Sequence, residues 1–303
     1  MKILVTGANG LLGQHLVKQL LENGYTVIAT GRGEARIVFE GWGQQYAYLP
    51  MDIADATSIQ AVMDAVKPDV MVHAAAMTQV DVCERDPELC ERINVTGTSL
   101  VLVDAEVYCK QFIYISTDFV FDGEAGNYKE EDDLKPISYY GFTKMQAEAI
   151  TETSTIPWAI VRTCLVYGNT LQGTRSNIIT WVKESLEQGK PIKVVADQWR
   201  TPTYVEDLAK GIVLIIEKQA TGVYHISGKD LLTPYDMALQ TAGQFQLDTS
   251  KIEKVDASTF TQPGKRPPKT GFVIEKDRKE LGYEPMGFAE GLKQMFKDKT
   301  WQV

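Results

Sequence analysis

The first thirty residues constrain the architecture most. Lys2-Ile3-Leu4-Val5-Thr6 is an apolar run of strand length, and it stops at Gly7-Ala8-Asn9-Gly10-Leu11-Leu12-Gly13. Apolar residues then recur at Leu12, Leu16 and Leu20, and at Val17 and Leu21, the spacing of one helical face, as far as Asn23-Gly24. Tyr25 to Ala29 is a second apolar strand. Strand, glycine-rich turn, helix and strand make a βαβ unit, whose first turn sets a pyrophosphate against helix N-terminal amides. The spacing is G-x-x-G-x-x-G, not the G-x-G-x-x-G of the usual fingerprint. Its place after the first strand and at the head of a helix carries the reading. Gly7, Asn9, Gly10, Leu11, Leu12 and Gly13 are the candidate contacts to a dinucleotide.

The end of the second strand bears on which dinucleotide. It reads Thr30-Gly31-Arg32-Gly33, with no carboxylate before Glu34 to take a ribose 2′-hydroxyl. Arg32 suits a 2′-phosphate, so NADP(H) is favoured over NAD(H). Further strands follow at 46–49, leading to Asp52-Ile53, and at 70–73, running from His73 into Ala74-Ala75-Ala76. Small residues at a strand's carboxyl end let a cofactor lie close to the backbone. His73 reads as a packed residue at a strand end. A helix is expected over 91–108, with Asn94 inside it, then a strand over 111–116 that ends in Ser116-Thr117-Asp118. Residues 119–136 read as a loop, with the acidic run 130–133 solvated, and a sixth strand covers 158–162.

The expected fold class is α/β, a doubly wound parallel (Rossmann) sheet with a smaller mixed C-terminal substrate domain. After Gly168 the βα alternation weakens: helices are expected near 177–188, 205–218, 233–244 and 287–297, with strands at 192–195 and 222–226. Residues 1–166 with 191–226 are assigned to the nucleotide-binding domain, and 167–190 with 227–303 to the substrate domain.

One short stretch carries chemistry. In Ser138-Tyr139-Tyr140-Gly141-Phe142-Thr143-Lys144, the i,i+4 spacing puts Tyr140 and Lys144 on one helical face. A free phenol titrates near 10, and an adjacent ammonium is expected to draw that pKa toward the working range. The spacing alone is common; its position after the Thr117 strand makes it a candidate acid–base pair facing the cofactor crevice.

Composition excludes other classes. The net charge of −9, without basic runs, argues against nucleic acid or an anionic membrane as partner. The N-terminal apolar run is too short for a signal segment, and no apolar run approaches the ~18 residues of a membrane span. Cys83, Cys90, Cys109 and Cys164, lacking a CxxC pair, are expected to be reduced thiols of a cytoplasmic protein. His15, His73 and His225 show no ligand spacing, so no His/Cys metal site is expected.

TGANGLLG at 6–13, DI at 52–53, HAAA at 73–76, STD at 116–118, YGFTK at 140–144 and RTCLVYG at 162–168 together resemble the extended short-chain dehydrogenase/reductase family. Within it, STDFVFDG at 116–123, DQWRTPT at 197–203, RPPKTGF at 266–272 and the terminal LGYEP…EGL are similar to the dTDP-4-dehydrorhamnose reductases and related sugar-nucleotide reductases. The resemblance implies reduction of a nucleotide-sugar ketone by a nicotinamide cofactor. Tyr140 would protonate the developing alkoxide, Lys144 hold the nicotinamide ribose and Thr117 donate to the same oxygen. It further implies that Asp52, Ile53, Ala74, Ala75 and Ala76 line the cofactor and that Asp118 contacts the sugar. A Trp usually stands where this chain has Leu165 and a Tyr where it has Phe119, so two sugar contacts differ. Arg200, Lys265 and Arg266 are candidates for the diphosphate on charge alone. The family admits a homodimer. A 4,6-dehydratase needs an Asp-Glu couple after the Thr, and Phe119 cannot act as that base. An epimerase and a catalytically silent nucleotide-binding regulatory subunit are the alternatives.

Overall fold

A computed structural model describes residues 1–36, 39–169 and 177–297. Its frame is a seven-stranded, all-parallel sheet. The strands are β1 (Lys2–Thr6), β2 (Thr26–Gly31), β3 (Tyr46–Pro50), β4 (Val70–His73), β5 (Gln111–Thr117), β6 (Trp158–Thr163) and, later in the chain, β10 (Gly222–His225). Their order is β3-β2-β1-β4-β5-β6-β10. The winding reverses between β1 and β4, and ligands of such sheets bind outside the carboxyl ends at that switch point.

Parallel strands bury both faces, which accounts for their near-continuous apolar runs. On one face α1 (Leu11–Glu22) and α8 (Val205–Lys218) pack Leu16, Leu20, Leu208, Ile212 and Ile216 against Val5, Val27 and Val161. On the other, α2 (Ala56–Val66), α5 (Gly97–Tyr108) and α6 (Tyr139–Glu152) cover Leu4, Met71 and Phe112 with Ile59, Met63, Val101 and Ala147.

Two departures from the expected elements matter. The helix expected over 91–108 is present, but it starts earlier, in α4 (Pro87–Glu91), carries a π-helical turn over Arg92–Thr96 before α5, and is preceded by a short helix α3 (Val80–Arg85). The strand β8 (Ile192–Val195), assigned above to the nucleotide-binding unit, pairs instead with β11 (Ile252–Val255) in a separate two-stranded sheet. Alternating burial lets β8 set Ile192 and Val194 against α7 (Ile178–Glu187) and α9 (Pro234–Gln244), away from the central sheet. A third small sheet joins β7 (Val166–Tyr167) to β9 (Thr203–Tyr204), where α11 (Phe288–Lys297) packs Phe288 and Leu292 on Tyr167. No helix among the described residues is long and apolar enough to cross a membrane.

The acidic run is not wholly solvated either. Glu130 turns inward and faces Asp277 on α10 (Glu275–Leu281); burial raises the Glu130 carboxyl, and burial with the Glu130 charge raises that of Asp277. Glu130 Oε1 and Asp277 Oδ2 are buried with no other partner, and one shared proton satisfies both. Burial first, then the Glu130 charge, pushes Asp277 up to about 8, while its Oδ1 accepts from the His225 amide at 3.0 Å. Because the folded pKa lies above the unfolded value, the pair stabilises the fold at low pH and that contribution is lost as pH rises from about 4 through about 8. Asp277→Asn should therefore flatten the pH dependence of Tm. The wild type should lose roughly 4 °C or more between pH 5.5 and 8.5, and the variant about half that or less, by differential scanning calorimetry.

Candidate active site

The turn after β1 runs up against the end of β4. Gly7 adopts φ +71°, and a Cβ there would lie 2.8 Å from the Ala75 amide nitrogen. The Thr6 hydroxyl ties the same junction, accepting from the Ala74 and Ala75 amides at 3.1 Å each and bonding His73 Nδ1 at 2.8 Å. A Cβ on Gly13 would meet the Gly7 carbonyl. Helix α1 thus begins as close to the turn as backbone allows. Its N-cap, Gly10, makes no side-chain cap bond, and the first turn carries no acid. The amides there suit an anionic diphosphate. His73 is packed as expected: burial, with the Lys144 charge adding to it, brings its pKa down to about 3.

The adenosine side of this cradle holds two residues that the sequence reading missed. Asn9 Nδ2 donates to the Tyr48 hydroxyl at 2.8 Å and to the Glu34 carbonyl at 3.0 Å. Arg36 donates its amide to Asn9 Oδ1 at 2.9 Å and Nη1 to the Asn9 carbonyl at 3.3 Å. A second arginine therefore lies against the glycine loop, while Arg32 stands exposed at the end of β2. Asp52 and Ile53 follow β3 at the same edge. The Asp52 carboxylate caps the Ala54 amide at 2.9 Å, and Ile53 is buried under Gly97.

Across the crevice, Thr117 ends β5 and Tyr140 opens α6, whose N-cap Ser138 accepts from the Gly141 amide at 3.1 Å. The Tyr140 phenol lies near the Thr117 hydroxyl, which itself donates to Asp118 Oδ1 at 3.2 Å. Lys144, one turn on, donates Nζ to the Ile115 carbonyl at 2.7 Å and lies 4.1 Å above the Tyr114 ring. Asn94 fixes α6 from the π-helical turn. It exchanges bonds with the Met77 backbone at 2.8 and 3.0 Å and donates to Thr143 Oγ1 at 3.0 Å, which in turn donates to the Tyr140 carbonyl. Such turns inside helices recur at functional sites.

The electrostatics reverse one expectation. Burial holds the Tyr140 phenol above its ordinary range; the Thr117 hydroxyl opposes this and the Asp118 charge adds to it. Burial brings Lys144 down to about 7, against the pull of Glu148. Desolvation outweighs the neighbouring ammonium that was expected to lower the phenol.

Two substrate candidates also prove to be bound within the protein. Arg200 is 4% exposed, donating to the carbonyls of Trp199 at 2.8 Å and Pro267 at 2.7 Å and pairing with Asp118 at 3.6 Å. It is not presented to a diphosphate. Asp118 likewise accepts from Thr117, Cys164 and Thr270. Arg266 forms a two-point pair with Asp81, at 3.0 and 2.8 Å, and Lys265 is exposed. Beside Arg266 opens a cavity of about 210 Å³ lined by Trp181, Phe260, Lys193 and Gln198. Leu165, 39% exposed, holds φ +38°, a strained backbone for a γ-branched residue.

Cys83 and Cys90 form a disulfide, with Cα atoms 5.1 Å apart, correcting the expectation of free thiols. The corner between α3 and α4 brings the two together over a separation of seven residues, and the pair packs against Tyr140. Cys109 and Cys164 are free and buried.

The sequence model of the RmlD substrate binding domain matches residues 1–301. The chain belongs to that family. It is thereby one of the extended short-chain dehydrogenase/reductase enzymes, NAD(P)-dependent oxidoreductases. It is 30% identical over 302 residues to the spore coat polysaccharide biosynthesis protein SpsK of Bacillus subtilis (strain 168), covering 99% of this chain and 98% of that one. It is 30% identical over 259 residues to methionine adenosyltransferase 2 subunit beta of Xenopus tropicalis, covering 84% of this chain and 75% of the other. Among solved structures, a dTDP-4-dehydrorhamnose reductase from Bacillus anthracis str. Ames in complex with NADP is similar, with a TM-score of 0.83 at 28% identity and 98% of each chain covered.

The tight glycine turn yields a direct test in this family member. Gly13→Ala should strain the loop by about 1–3 kcal/mol, read as a roughly 10–100-fold rise in NADPH Kd by fluorescence titration.

Proposed function

We propose that this protein reduces the 4-keto group of a nucleotide-linked deoxysugar, with NADP(H) favoured over NAD(H) and Tyr140 as the proton donor. The observation that carries the reading is the placement of Thr117 at the carboxyl end of β5 with Tyr140 buried beside it on α6 and Lys144 one turn beyond. The glycine cradle, with no room for a Cβ at Gly7 or Gly13 and no acid in the first turn of α1, suits a dinucleotide diphosphate. Bound there, the nicotinamide would supply the hydride. As negative charge gathers on the ketone oxygen, Tyr140 gives it the phenolic proton and Thr117 donates a hydrogen bond, so prepared donors meet the charge as it forms. The high phenol pKa keeps Tyr140 protonated for this step, and Lys144 stabilises the phenolate left behind.

A catalytically silent regulatory subunit is the second reading, favoured by the likeness to methionine adenosyltransferase 2 subunit beta. NADPH oxidation, followed by absorbance with a dTDP-4-keto-6-deoxy-sugar generated in situ, separates the two. Sugar-dependent oxidation is expected; tight NADPH binding without oxidation of any keto-sugar would support the silent subunit. Tyr140→Phe should lower kcat by about 10²–10⁴ while leaving NADPH Kd within roughly twofold. Arg36→Ala removes a charged partner for a 2′-phosphate, worth about 1.5–3 kcal/mol. The ratio of NADPH to NADH affinity should then fall roughly tenfold or more.

A further inference from the structure

One buried carboxylate beside the site has no part in the chemistry above. Glu148 lies one turn beyond Lys144 on α6 and is 1% exposed. Arg162 of β6 grips it, with Nη2 at 2.7 Å from Oε2 and Nε at 3.1 Å from both oxygens. Ser116 of β5 donates its hydroxyl to Oε1. Ser116 and Arg162 are register partners on adjacent strands, so the carboxylate spans β5 and β6 one residue before Thr117. Arg162 also donates Nη1 to the Glu130 carbonyl at 3.0 Å and stacks over Phe121. A buried pair this fully bonded adds little net stability, but it fixes geometry.

Its consequence falls on Lys144. The groups facing that ammonium are Tyr140 and Glu148 from its own helix, Tyr114 and the Ile115 carbonyl from β5, and His73 from β4, which burial keeps neutral. Arg162 of β6 stands behind Glu148. Among these groups only Glu148 is an anion, and it opposes the burial that favours neutral lysine. We propose that Glu148, clamped by Arg162 and Ser116, is a positioning residue that keeps Lys144 protonated and aligned behind Tyr140. The proposal rests on the reductase reading above.

The test compares kcat/KM against pH for wild type, Glu148→Gln and Glu148→Asp, with folded sites counted by NADPH titration. In Glu148→Gln the basic limb should move down by about one unit, a tenfold change in protonated fraction at a given pH. The rate at pH 8 should then fall roughly tenfold, with about threefold or less lost at pH 6. Glu148→Asp should restore the limb. A uniform loss with the limb unmoved means that Glu148 only packs the helix, and overturns the proposal. Should Glu148→Gln fold poorly, the double variant Glu148→Gln/Arg162→Gln removes both charges and should move the limb in the same direction, by less than the single variant. A readout without turnover keeps the two readings apart: competitive amine labelling of Lys144 against pH, followed by mass spectrometry. Its half-labelling pH should drop in Glu148→Gln even if the wild type reduces no keto-sugar. An unchanged half-labelling pH also refutes the proposal.

Discussion

A charge taken out of water must be answered by a partner, and at the carboxyl edge of this sheet that constraint fixes the site. Lys144, Glu148, Arg162, Asp118 and Arg200 are each 4% exposed or less. Left single, any of them would cost several kcal/mol and would shed its charge. They are arranged instead as two linked sets. Glu148 and Arg162 brace the lysine from below, and Asp118 and Arg200 join the strand edge to the C-terminal region through Thr270 and the Pro267 carbonyl. Tyr140 shares α6 with Lys144 and Glu148, and the Thr117 hydroxyl near it donates to Asp118 at 3.2 Å. Burial raises the phenol and lowers the lysine, so the pair is tuned by desolvation as much as by mutual contact.

The same edge depends on an approach of backbone to backbone. Gly7 leaves no space for a side chain against Ala74 and Ala75, and Gly13 none against Gly7. Since the Thr6 hydroxyl bonds both alanine amides and His73, the turn that would cradle a diphosphate and the strand end that would face a nicotinamide form one rigid unit. This accounts for the small residues at 74–76, where the Gly7 turn leaves no room for larger side chains.

How much was legible follows from the range of each interaction. All seven central strands and the helices beside them could be read from local periodicity, because a buried parallel strand is apolar throughout and a covering helix repeats every three to four residues. Thr117, Tyr140, Lys144 and the glycine loop could be read from spacing. Partners distant in the chain could not. Nothing near Arg200 announces that its donors are taken by Pro267 and Asp118, and nothing near Arg266 announces Asp81. Arg36 and Tyr48 carry no motif, and their meeting with Asn9 appears only once β2 and β3 are paired. The Cys83–Cys90 bond was hidden because a helix corner, not a short CxxC loop, brings the two together.

The division between the two halves of the site follows from that difference. The residues proposed for proton transfer stand on β5 and α6, elements buried in the sheet and cross-braced. What would read the substrate stands on connections: Leu165 at a strained turn, Phe119 against the Tyr140 ring, and the 264–272 segment anchored by Arg266 to Asp81 and by Thr270 to Asp118. A substituted side chain on such a connection changes the pocket wall without disturbing the strut beneath Lys144. Leu165 and Phe119, the two positions where this chain lacks the ring and the hydroxyl its family usually presents, lie on that outer wall. On the proposed mechanism, a different sugar preference is therefore compatible with an unaltered Thr117–Tyr140–Lys144 core.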